Sequence, residues 1–237
     1  MFFSLENIAD NLSVLYVDNH LLCVVKPPGM LSQGDRTGDV SLLDVARMYI
    51  KKKYQKPGNV YLGLVHRLDR PVGGVVVFAR TSKAAGRLSA AFRSRDVQKH
   101  YLAVVSGHPD PEAGELLDFL KKSGTKTIVT SPDDPEGKEA RLRYQTVSTI
   151  DEKSLVDLEL LTGRRHQIQV QLAGIGCPVI GDVKYGGEKN KERSSIALFA
   201  YRLVIHHPVT NEKLTLQTKI PKEYPWDIFS QMSYYNI

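Results

Sequence analysis

A single carboxylate in the first third of the chain stands among positive or potentially positive side chains. Asp69 follows His66 and Arg67 and precedes Arg70, and Pro71 keeps the stretch out of regular structure. Neighbouring guanidinium groups favour the ionised form of a carboxylate and hold it through charge-assisted hydrogen bonds. An ionised and fixed carboxylate can act as a nucleophile. The alternative interpretation is a structural ion pair that closes a loop.

The segments around Asp69 predict a rigid support for it. The apolar run 75–79 follows the aspartate and is typical of a buried strand, and a second apolar run, 61–65, precedes it. Residues 13–17 and 21–25 predict a hairpin with a short polar turn, and the Lys-Pro-Pro-Gly sequence at 26–29 ends its second strand. We therefore expect Asp69 on an irregular loop beside a wall of strands.

The remaining elements predict an α+β fold. Ser41 and Asp44 form a capping-box pattern for one helix, and Thr81 or Ser82 caps another. Further strands are expected at residues 101–105, 141–147, 155–161, 203–208 and 214–217, and a short C-terminal helix is expected to open at Pro225-Trp226. Because the strands are many and the helices are few and irregularly placed, we expect a mixed, mainly antiparallel central sheet flanked by helices and loops.

One segment fits two secondary structures. The apolar residues of 161–172 recur at a spacing that suits either a helix or a strand. We interpret the segment as a helix that ends near Gly174 or Gly176.

Length and composition place limits on the class of protein. The 237 residues are interpreted as a single domain, 1–237. The formal charge of +6 suits a polyanionic partner, although a merely basic soluble protein has the same charge.

The cysteines and the N-terminus indicate the compartment. Cys23 and Cys177 are far apart in sequence, and Cys23 lies in an apolar run, so buried free thiols and a reducing compartment are expected. The N-terminus lacks the apolar core of a signal peptide and no apolar run reaches membrane-spanning length, which predicts a cytoplasmic protein.

Several common functional patterns are missing from the sequence. Residues 174–179 lack the third glycine of a dinucleotide fingerprint, and the chain has no GxxxxGK phosphate loop, so no nucleotide cofactor is implied. The seven histidines lack metal-ligand spacing and there is no CxxC pair, so no metal site is predicted. No second acid lies near Asp69 in sequence to form the carboxylate pair of a glycosidase.

Three ordered groups of residues resemble the signature motifs of the RluA-type RNA pseudouridine synthases. The groups are 66–69 with Gly73 and Gly74, then 99–104, then 162–168 with Gly181 and Asp182. The opening segment 15–29 and His207-Pro208 near the end resemble the first and last parts of that family's catalytic domain. The resemblance covers nearly the whole chain. Several motifs in the right order are far more specific than any one of them.

The resemblance implies isomerisation of uridine to pseudouridine in structured RNA, either rRNA or tRNA. The base detaches from C1′ through N1 and reattaches through C5, so neither a redox change nor a group donor is needed and no cofactor is expected. A stand-alone catalytic domain without a separate N-terminal RNA-binding domain is expected, acting as a monomer. Target choice then rests on the catalytic domain itself.

The same resemblance suggests roles for individual residues. Asp69 is the essential carboxylate, either a nucleophile toward the ribose or base or a group that stabilises and deprotonates an intermediate. Tyr101 matches the tyrosine that stacks on the uracil, and its alternative role is that of a core aromatic. Arg67 matches an arginine that contacts RNA near the extruded nucleotide, and its alternative role is pairing with Asp69. His66 and Ile168 belong to the motifs that support the site.

Candidate phosphate contacts are Lys26, Arg70, Arg164 and the lysine run 51–53. A basic side chain can neutralise an RNA phosphate, although each of these taken alone is more often a solvated charge.

One position departs from the family pattern. After 166–168 the family usually has a basic residue that pairs with the catalytic aspartate, whereas this chain has Gln169. We hypothesise that Arg165, one helical turn earlier on the same face, takes over the pairing. The alternative is altered or lost activity, which would leave a non-catalytic RNA-binding or RNA-chaperone protein. A third reading, a carboxylate-based N-glycoside hydrolase, predicts free uracil as the product.

Overall fold

A computed structural model describes residues 5–187 and 195–231. The chain divides into two compact units. The first unit comprises residues 1–97 and 202–218, and the second comprises residues 98–201 and 219–237. The expectation of a single domain remains a prediction.

The described residues contain eleven strands and few helices. The strands are β1 (Val14–Val17), β2 (Leu21–Lys26), β3 (Gly63–Leu64), β4 (Gly73–Ala79), β5 (Gln98–Ser106), β6 (Ala113–Ser123), β7 (Lys126–Thr130), β8 (Lys138–Ile150), β9 (Lys153–Leu160), β10 (Leu198–His206) and β11 (Lys213–Gln217). The helices are α1 (Leu5–Asp10), α2 (Leu42–Lys53), α3 (Ser82–Ser94), α4 (Gln167–Gly174) and a 3₁₀ helix (Trp226–Phe229). The predicted fold class, α+β with a mixed and mainly antiparallel sheet, is confirmed.

The first unit is built around β4. All seven residues of β4 are buried, and β4 pairs antiparallel with β2 so that Gly74 lies opposite Lys26. On one face of these strands, Val75 and Val77 pack with Leu88 of α3 in a buried cluster. Because both faces of β4 are covered, the strand gives a rigid end point for the loop that carries Asp69.

The helix starts in the first unit follow the sequence pattern. Ser41 and Asp44 form the expected capping box at the start of α2. Of the two candidate caps for α3, Thr81 takes the role, and its side chain accepts a hydrogen bond from the Ala84 backbone nitrogen. The predicted first and last hairpins, β1–β2 and β10–β11, are also confirmed.

The second unit contains the antiparallel strands β5, β9, β8, β6 and β7 in that order. Tyr101 of β5 lies opposite Leu158 of β9, which in turn lies opposite Tyr144 of β8. The side chain of Gln171 in α4 donates to Asp118 and to the Ala140 carbonyl oxygen. Since neighbouring side chains of a strand alternate between faces, Tyr101, Tyr144 and Ala140 lie on the face of this sheet that α4 covers.

The helix expected within 161–172 begins later than the sequence suggests. α4 starts at Gln167 and ends at Gly174, while residues 162–166 form an irregular loop that ends with His166 in the left-handed region, at φ 53°. The choice of helix over strand is confirmed for residues 167–172.

Strands β6 and β7 are absent from the sequence-based expectation. Only Leu120 in β6 and Thr127 in β7 are buried, so neither strand carries a strong apolar signal. Their regular structure depends on pairing with β8 and with each other.

Both cysteines are free thiols and are buried, as the sequence predicts. None of the described helices combines the length and the apolar character needed to cross a bilayer.

Candidate active site

The main chain around Asp69 is held by hydrogen bonds on both sides. The Ser32 hydroxyl donates to the Leu68 carbonyl oxygen at 2.7 Å and accepts from the Leu68 nitrogen at 3.1 Å. On the other side, the Val72 nitrogen donates to the Asp69 carbonyl oxygen at 3.0 Å and closes a turn. Ser32 and Leu68 are buried, whereas Asp69 is partly exposed. The loop therefore presents the carboxylate from a fixed backbone.

Lys26 is a buried structural cation rather than an exposed phosphate contact. Its side chain is 0% exposed, and Nζ donates to the carbonyl oxygens of Pro27 at 3.2 Å, Met30 at 2.6 Å and Arg70 at 3.1 Å. Burial lowers the pKa of Lys26 to about 8, although the negative charge of Asp69 acts in the opposite direction. This placement corrects the sequence-based assignment of Lys26 to the RNA backbone, because a phosphate cannot reach an ammonium group enclosed by carbonyl oxygens.

Arg70 holds the Lys-Pro-Pro-Gly loop against the Asp69 loop. Its Nη2 atom pairs with Asp39 at 2.8 Å, and its Nε atom donates to the Gly29 carbonyl oxygen at 3.0 Å. The Gly29 nitrogen donates in return to the Arg70 carbonyl oxygen at 2.8 Å, and Gly29 has φ +84°, a conformation that favours glycine. Arg70 is exposed, so its ion pair with Asp39 competes with any contact to phosphate.

His66 anchors the start of the same loop. Its Nε2 atom accepts a hydrogen bond from the Val77 backbone nitrogen at 3.0 Å, and its ring stacks on Phe92 with 4.6 Å between centroids. Because Nε2 acts as an acceptor, the ring hydrogen of the neutral tautomer lies on Nδ1. His66 thus connects the loop to β4 and α3, consistent with the supporting role that was predicted for it.

Arg67 lies on the Asp69 loop, between His66 and the buried Leu68, and is exposed. Its role, either a contact to RNA or a pairing with Asp69, stays a prediction.

Tyr101 lies in the second unit, on the sheet face that carries α4, and is partly buried. Two residues earlier on the same face, Lys99 donates to the Thr162 carbonyl oxygen at 3.3 Å. Tyr101 is not among the fully buried residues that form the core.

A buried network fixes the loop before α4. Thr162 Oγ1 donates to Gln167 Oε1 at 2.8 Å and accepts from the Arg141 nitrogen at 2.8 Å. The Arg164 nitrogen donates to the same Gln167 oxygen at 3.0 Å, and Arg164 Nε donates to the Glu139 carbonyl oxygen at 2.8 Å. One nitrogen of the Arg164 side chain is therefore bonded to β8, although the residue remains partly exposed.

Gln169 pairs with Asp182. Gln169 Nε2 donates to Asp182 Oδ2 at 2.9 Å, and the two side chains are 5% and 3% exposed. Ile168, beside it in sequence, is buried. The neutral amide of Gln169 therefore gives the buried Asp182 carboxylate a hydrogen-bond donor, at a position where the family pattern has a basic residue.

Arg165 does not meet the geometric premise of its predicted role. α4 begins at Gln167, so Arg165 precedes the helix and is not one helical turn before Gln169 on a shared face. Its side chain is exposed, and Nη2 donates to the Thr125 carbonyl oxygen at 3.1 Å. The premise of a shared helix face is therefore wrong, whereas the pairing of Arg165 with Asp69 itself stays a hypothesis.

Three supporting residues have no signal in the sequence: Ser32, Asp39 and Tyr185. Ser32 and Asp39 carry no local pattern that marks them as partners of the Asp69 loop. Asp182 belongs to one of the motifs, but nothing in the sequence indicates that Gln169 is its partner. Tyr185, which lies close after Asp182, accepts from the Thr127 nitrogen at 2.7 Å and contacts His166 Nδ1 at 2.8 Å.

The fold agrees with that of a solved enzyme-family member. The protein titled Human RNA Pseudouridylate Synthase Domain Containing 4 superposes with a TM-score of 0.79 over 94% of each chain, at 27% sequence identity. The sequence of residues 20–174 matches the family described as RNA pseudouridylate synthase.

Curated relatives extend the match along the chain. The Dual-specificity RNA pseudouridine synthase RluA of Escherichia coli O6:H1 is 33% identical over 222 residues, which covers 90% of this chain and 94% of the relative. The Ribosomal large subunit pseudouridine synthase D of Zymomonas mobilis is 28% identical over 90% of this chain and 70% of the relative. This chain therefore belongs to the RNA pseudouridylate synthase family and is an isomerase.

Proposed function

We propose that this protein converts uridine to pseudouridine at defined positions of structured rRNA or tRNA, with Asp69 as the essential carboxylate. The observation that carries the proposal is the anchoring of Leu68 and Arg70 on either side of Asp69 by the buried residues Ser32 and Lys26. A reacting group held by a fixed backbone loses little orientational freedom when substrate binds. The names of the relatives support rRNA or a dual RNA specificity.

The reaction requires one bond to break and one to form. The N1–C1′ bond of uridine breaks, the uracil turns, a C5–C1′ bond forms, and the C5 proton is lost while N1 gains a proton. Departing uracil can carry negative charge, so the step needs less acid assistance than departure of an alkoxide. Asp69 serves either as a nucleophile or as the group that stabilises an intermediate and removes its proton.

We assign the remaining roles by residue. Tyr101 is proposed as the aromatic that stacks on the uracil, because the residue is only partly buried. Arg67 is proposed to contact the RNA beside the extruded nucleotide, since it is exposed next to Asp69 in the sequence. Arg164 is a proposed phosphate contact through the accessible part of its side chain. The protein is proposed to act in the cytoplasm as a monomer.

The alternative of a protein that binds RNA without turnover depends on Gln169. Gln169 is neutral and is bonded to Asp182, so it supplies no positive charge. The match to the synthase family does not favour this alternative.

Release of tritium from RNA that contains [5-³H]uridine separates these functions. We expect release by the wild type, complete loss with Asp69→Ala and Asp69→Asn, and unchanged release with Asp133→Asn, which alters an exposed carboxylate in a polar loop. RNA affinity is measured for each variant so that a folding defect is recognised. Absence of release from every rRNA and tRNA transcript tested would support the binding protein, and free uracil in the products would support a hydrolase.

A further inference from the structure

The end of the β6–β7 hairpin carries positive charge that is not paired with any carboxylate of residues 5–187 and 195–231. Lys122 and Lys126 are exposed on either side of the turn, and Arg165 is exposed beside it. None of the ion pairs identified among the described residues involves these three side chains. Lys121 provides the contrast, because its ammonium group pairs with Asp134 at 2.5 Å. We call Lys122, Lys126 and Arg165 the hairpin-end surface.

Hydrogen bonds hold the three segments of this surface together. Arg165 Nη2 donates to the Thr125 carbonyl oxygen in the turn itself. The Tyr185 hydroxyl accepts from the Thr127 nitrogen of β7 and contacts His166, the residue that follows Arg165. The Tyr185 hydroxyl can accept from the Thr127 nitrogen while it donates its only proton to His166 Nδ1. One hydroxyl therefore bridges β7 and the residue before α4. The cations are thus presented by a rigid scaffold.

The sheet register places part of the hairpin-end surface on a defined face. Lys122 lies opposite Thr127, and Leu120 and Ala140 on the same face pack against Val170 of α4. This is also the face on which Tyr101 lies. Lys122 and Tyr101, the residue proposed to stack on uracil, therefore lie on one face of the second unit's sheet, whereas Lys126, opposite Ser123, lies on the other face at the end of the hairpin.

We propose that the hairpin-end surface binds phosphate groups of the RNA substrate. The inference rests on the proposed function and adds a named contact region to it. Each cation that neutralises a phosphate releases counterions, which makes binding favourable and dependent on salt. Arginine can also present a planar fork of donors to phosphate, and the contact with Thr125 leaves the other donors of Arg165 available. Arg165 is thereby assigned to the RNA backbone instead of to Asp69.

Fluorescence anisotropy with a 5′-fluorescein-labelled RNA stem-loop that has uridines in its loop tests the proposal. We expect the double variant Lys122→Gln, Lys126→Gln to weaken binding about tenfold at about 0.1 M KCl. We also expect the slope of log affinity against log salt to fall by about 1.4, or about 0.7 for each lost contact to single-stranded RNA. Arg165→Gln should weaken binding more than Arg165→Lys, which keeps the charge.

The control removes the same charge elsewhere. Lys83→Gln, Lys213→Gln changes two exposed lysines of the first unit, and the RNA affinity should change by no more than about twofold. Equal weakening by both double variants, or no weakening by the hairpin pair, would overturn the inference. The inference would also be overturned if unlabelled RNA and polyglutamate of matched charge displaced the labelled stem-loop equally well. The surface would then be a site for acidic polymers in general.

Failure of this inference is distinguishable from failure of the proposed function. Wild-type protein that binds the stem-loop but releases no tritium contradicts the function alone. Wild-type protein that releases tritium while the hairpin double variant binds and reacts normally contradicts the hairpin-end surface alone.

Discussion

The buried ammonium group of Lys26 donates to the carbonyl oxygen of Arg70 at 3.1 Å. This bond joins the end of β2 to the residue that follows Asp69. Because Lys26 also lies opposite Gly74 in the sheet, the loop between Asp69 and β4 is fixed at both its ends. The Lys-Pro-Pro-Gly segment therefore acts as a support for the Asp69 loop.

Replacement of Lys26 should slow the chemical step more than it weakens RNA binding. Lys26→Met removes three hydrogen bonds to carbonyl oxygens and frees the backbone beside Asp69. A displacement of about 1 Å at a reacting group can lower the rate about a hundredfold. Single-turnover tritium release and RNA affinity measure the two effects, with Lys83→Met as the exposed control. A normal single-turnover rate in Lys26→Met would contradict the supporting role.

The lowered pKa of Lys26 predicts a pH dependence of stability. Burial lowers the pKa from 10.5 to about 8, so the folded protein releases this proton at a lower pH than the unfolded chain does. Between these values the unfolded chain binds more protons, and the contribution of Lys26 to the free energy of unfolding increases as the pH rises. The increase is about 3 kcal/mol in total.

Urea unfolding across this pH range, compared between wild type and Lys26→Met, isolates the contribution of Lys26. Burial raises the pKa of the Cys23 thiol, which acts in the opposite direction in both proteins and cancels in the difference. A difference in unfolding free energy that stays constant with pH would contradict the shift.

Gln169→Glu should destabilise the second unit at neutral pH. The substitution places a second carboxylate about 3 Å from the buried Asp182 carboxylate, and two such groups cannot both ionise cheaply. We expect a loss of about 2–4 kcal/mol in unfolding free energy that becomes smaller as the pH falls and the pair is protonated. Gln98→Glu, at an exposed position of β5, is the control and should have little effect. Equal stability of the two variants at neutral pH would show that Gln169 is not tightly coupled to Asp182.

Asp18 holds the first hairpin to the last one, and its removal should destabilise the first unit. Oδ1 accepts from the nitrogens of His20 at 2.7 Å and Leu21 at 2.6 Å, and Oδ2 pairs with His207 Nε2 at 2.9 Å. Burial by itself raises the pKa of Asp18, but these hydrogen bonds outweigh it and lower the pKa below its ordinary value.

Asp18→Asn should therefore cost about 2 kcal/mol at neutral pH. Because the folded pKa is lowered, the contribution of Asp18 is present above about pH 4 and is lost as the pH falls through the folded value. Thermal unfolding of wild type and Asp18→Asn should consequently converge in acid. Asp133→Asn serves as the exposed control, and a variant as stable as wild type at pH 7 would contradict the role of Asp18.

Tyr101 variants separate stacking from hydroxyl chemistry. Tyr101→Ala removes the ring, and loss of stacking on a base costs about 1–3 kcal/mol. We expect single-turnover release to fall about tenfold to a hundredfold with Tyr101→Ala, and less with Tyr101→Phe unless the hydroxyl assists proton removal. Tyr61→Ala alters an exposed tyrosine and should have no comparable effect. Similar rates of tritium release for wild type and Tyr101→Ala would show that Tyr101 has a purely structural role.

The sequence by itself determined the parts that local patterns encode. The capping box at Ser41, the Thr81 cap, the first hairpin and the Asp69 loop follow from short-range rules of helix capping, alternation and chain-breaking residues. The ordered motifs indicate the family from the sequence alone. The half-exposed strands β6 and β7 were missed because their pattern becomes decisive only when β8 pairs with them.

Tertiary structure determined the partners of the charged and polar side chains. The sequence suggests that Lys26 contacts phosphate, but its side chain donates to Arg70, which is 44 residues away in the sequence. Asp18 likewise bonds to His207, which is 189 residues away. Arg165 and Gln169 likewise received their partners, Thr125 and Asp182, from other segments of the chain. A charged or polar side chain is compatible with many local conformations, and only burial and the approach of distant backbone select its partner. The sequence therefore indicated which groups can react, and the fold determined which of them support Asp69 and which remain available to RNA.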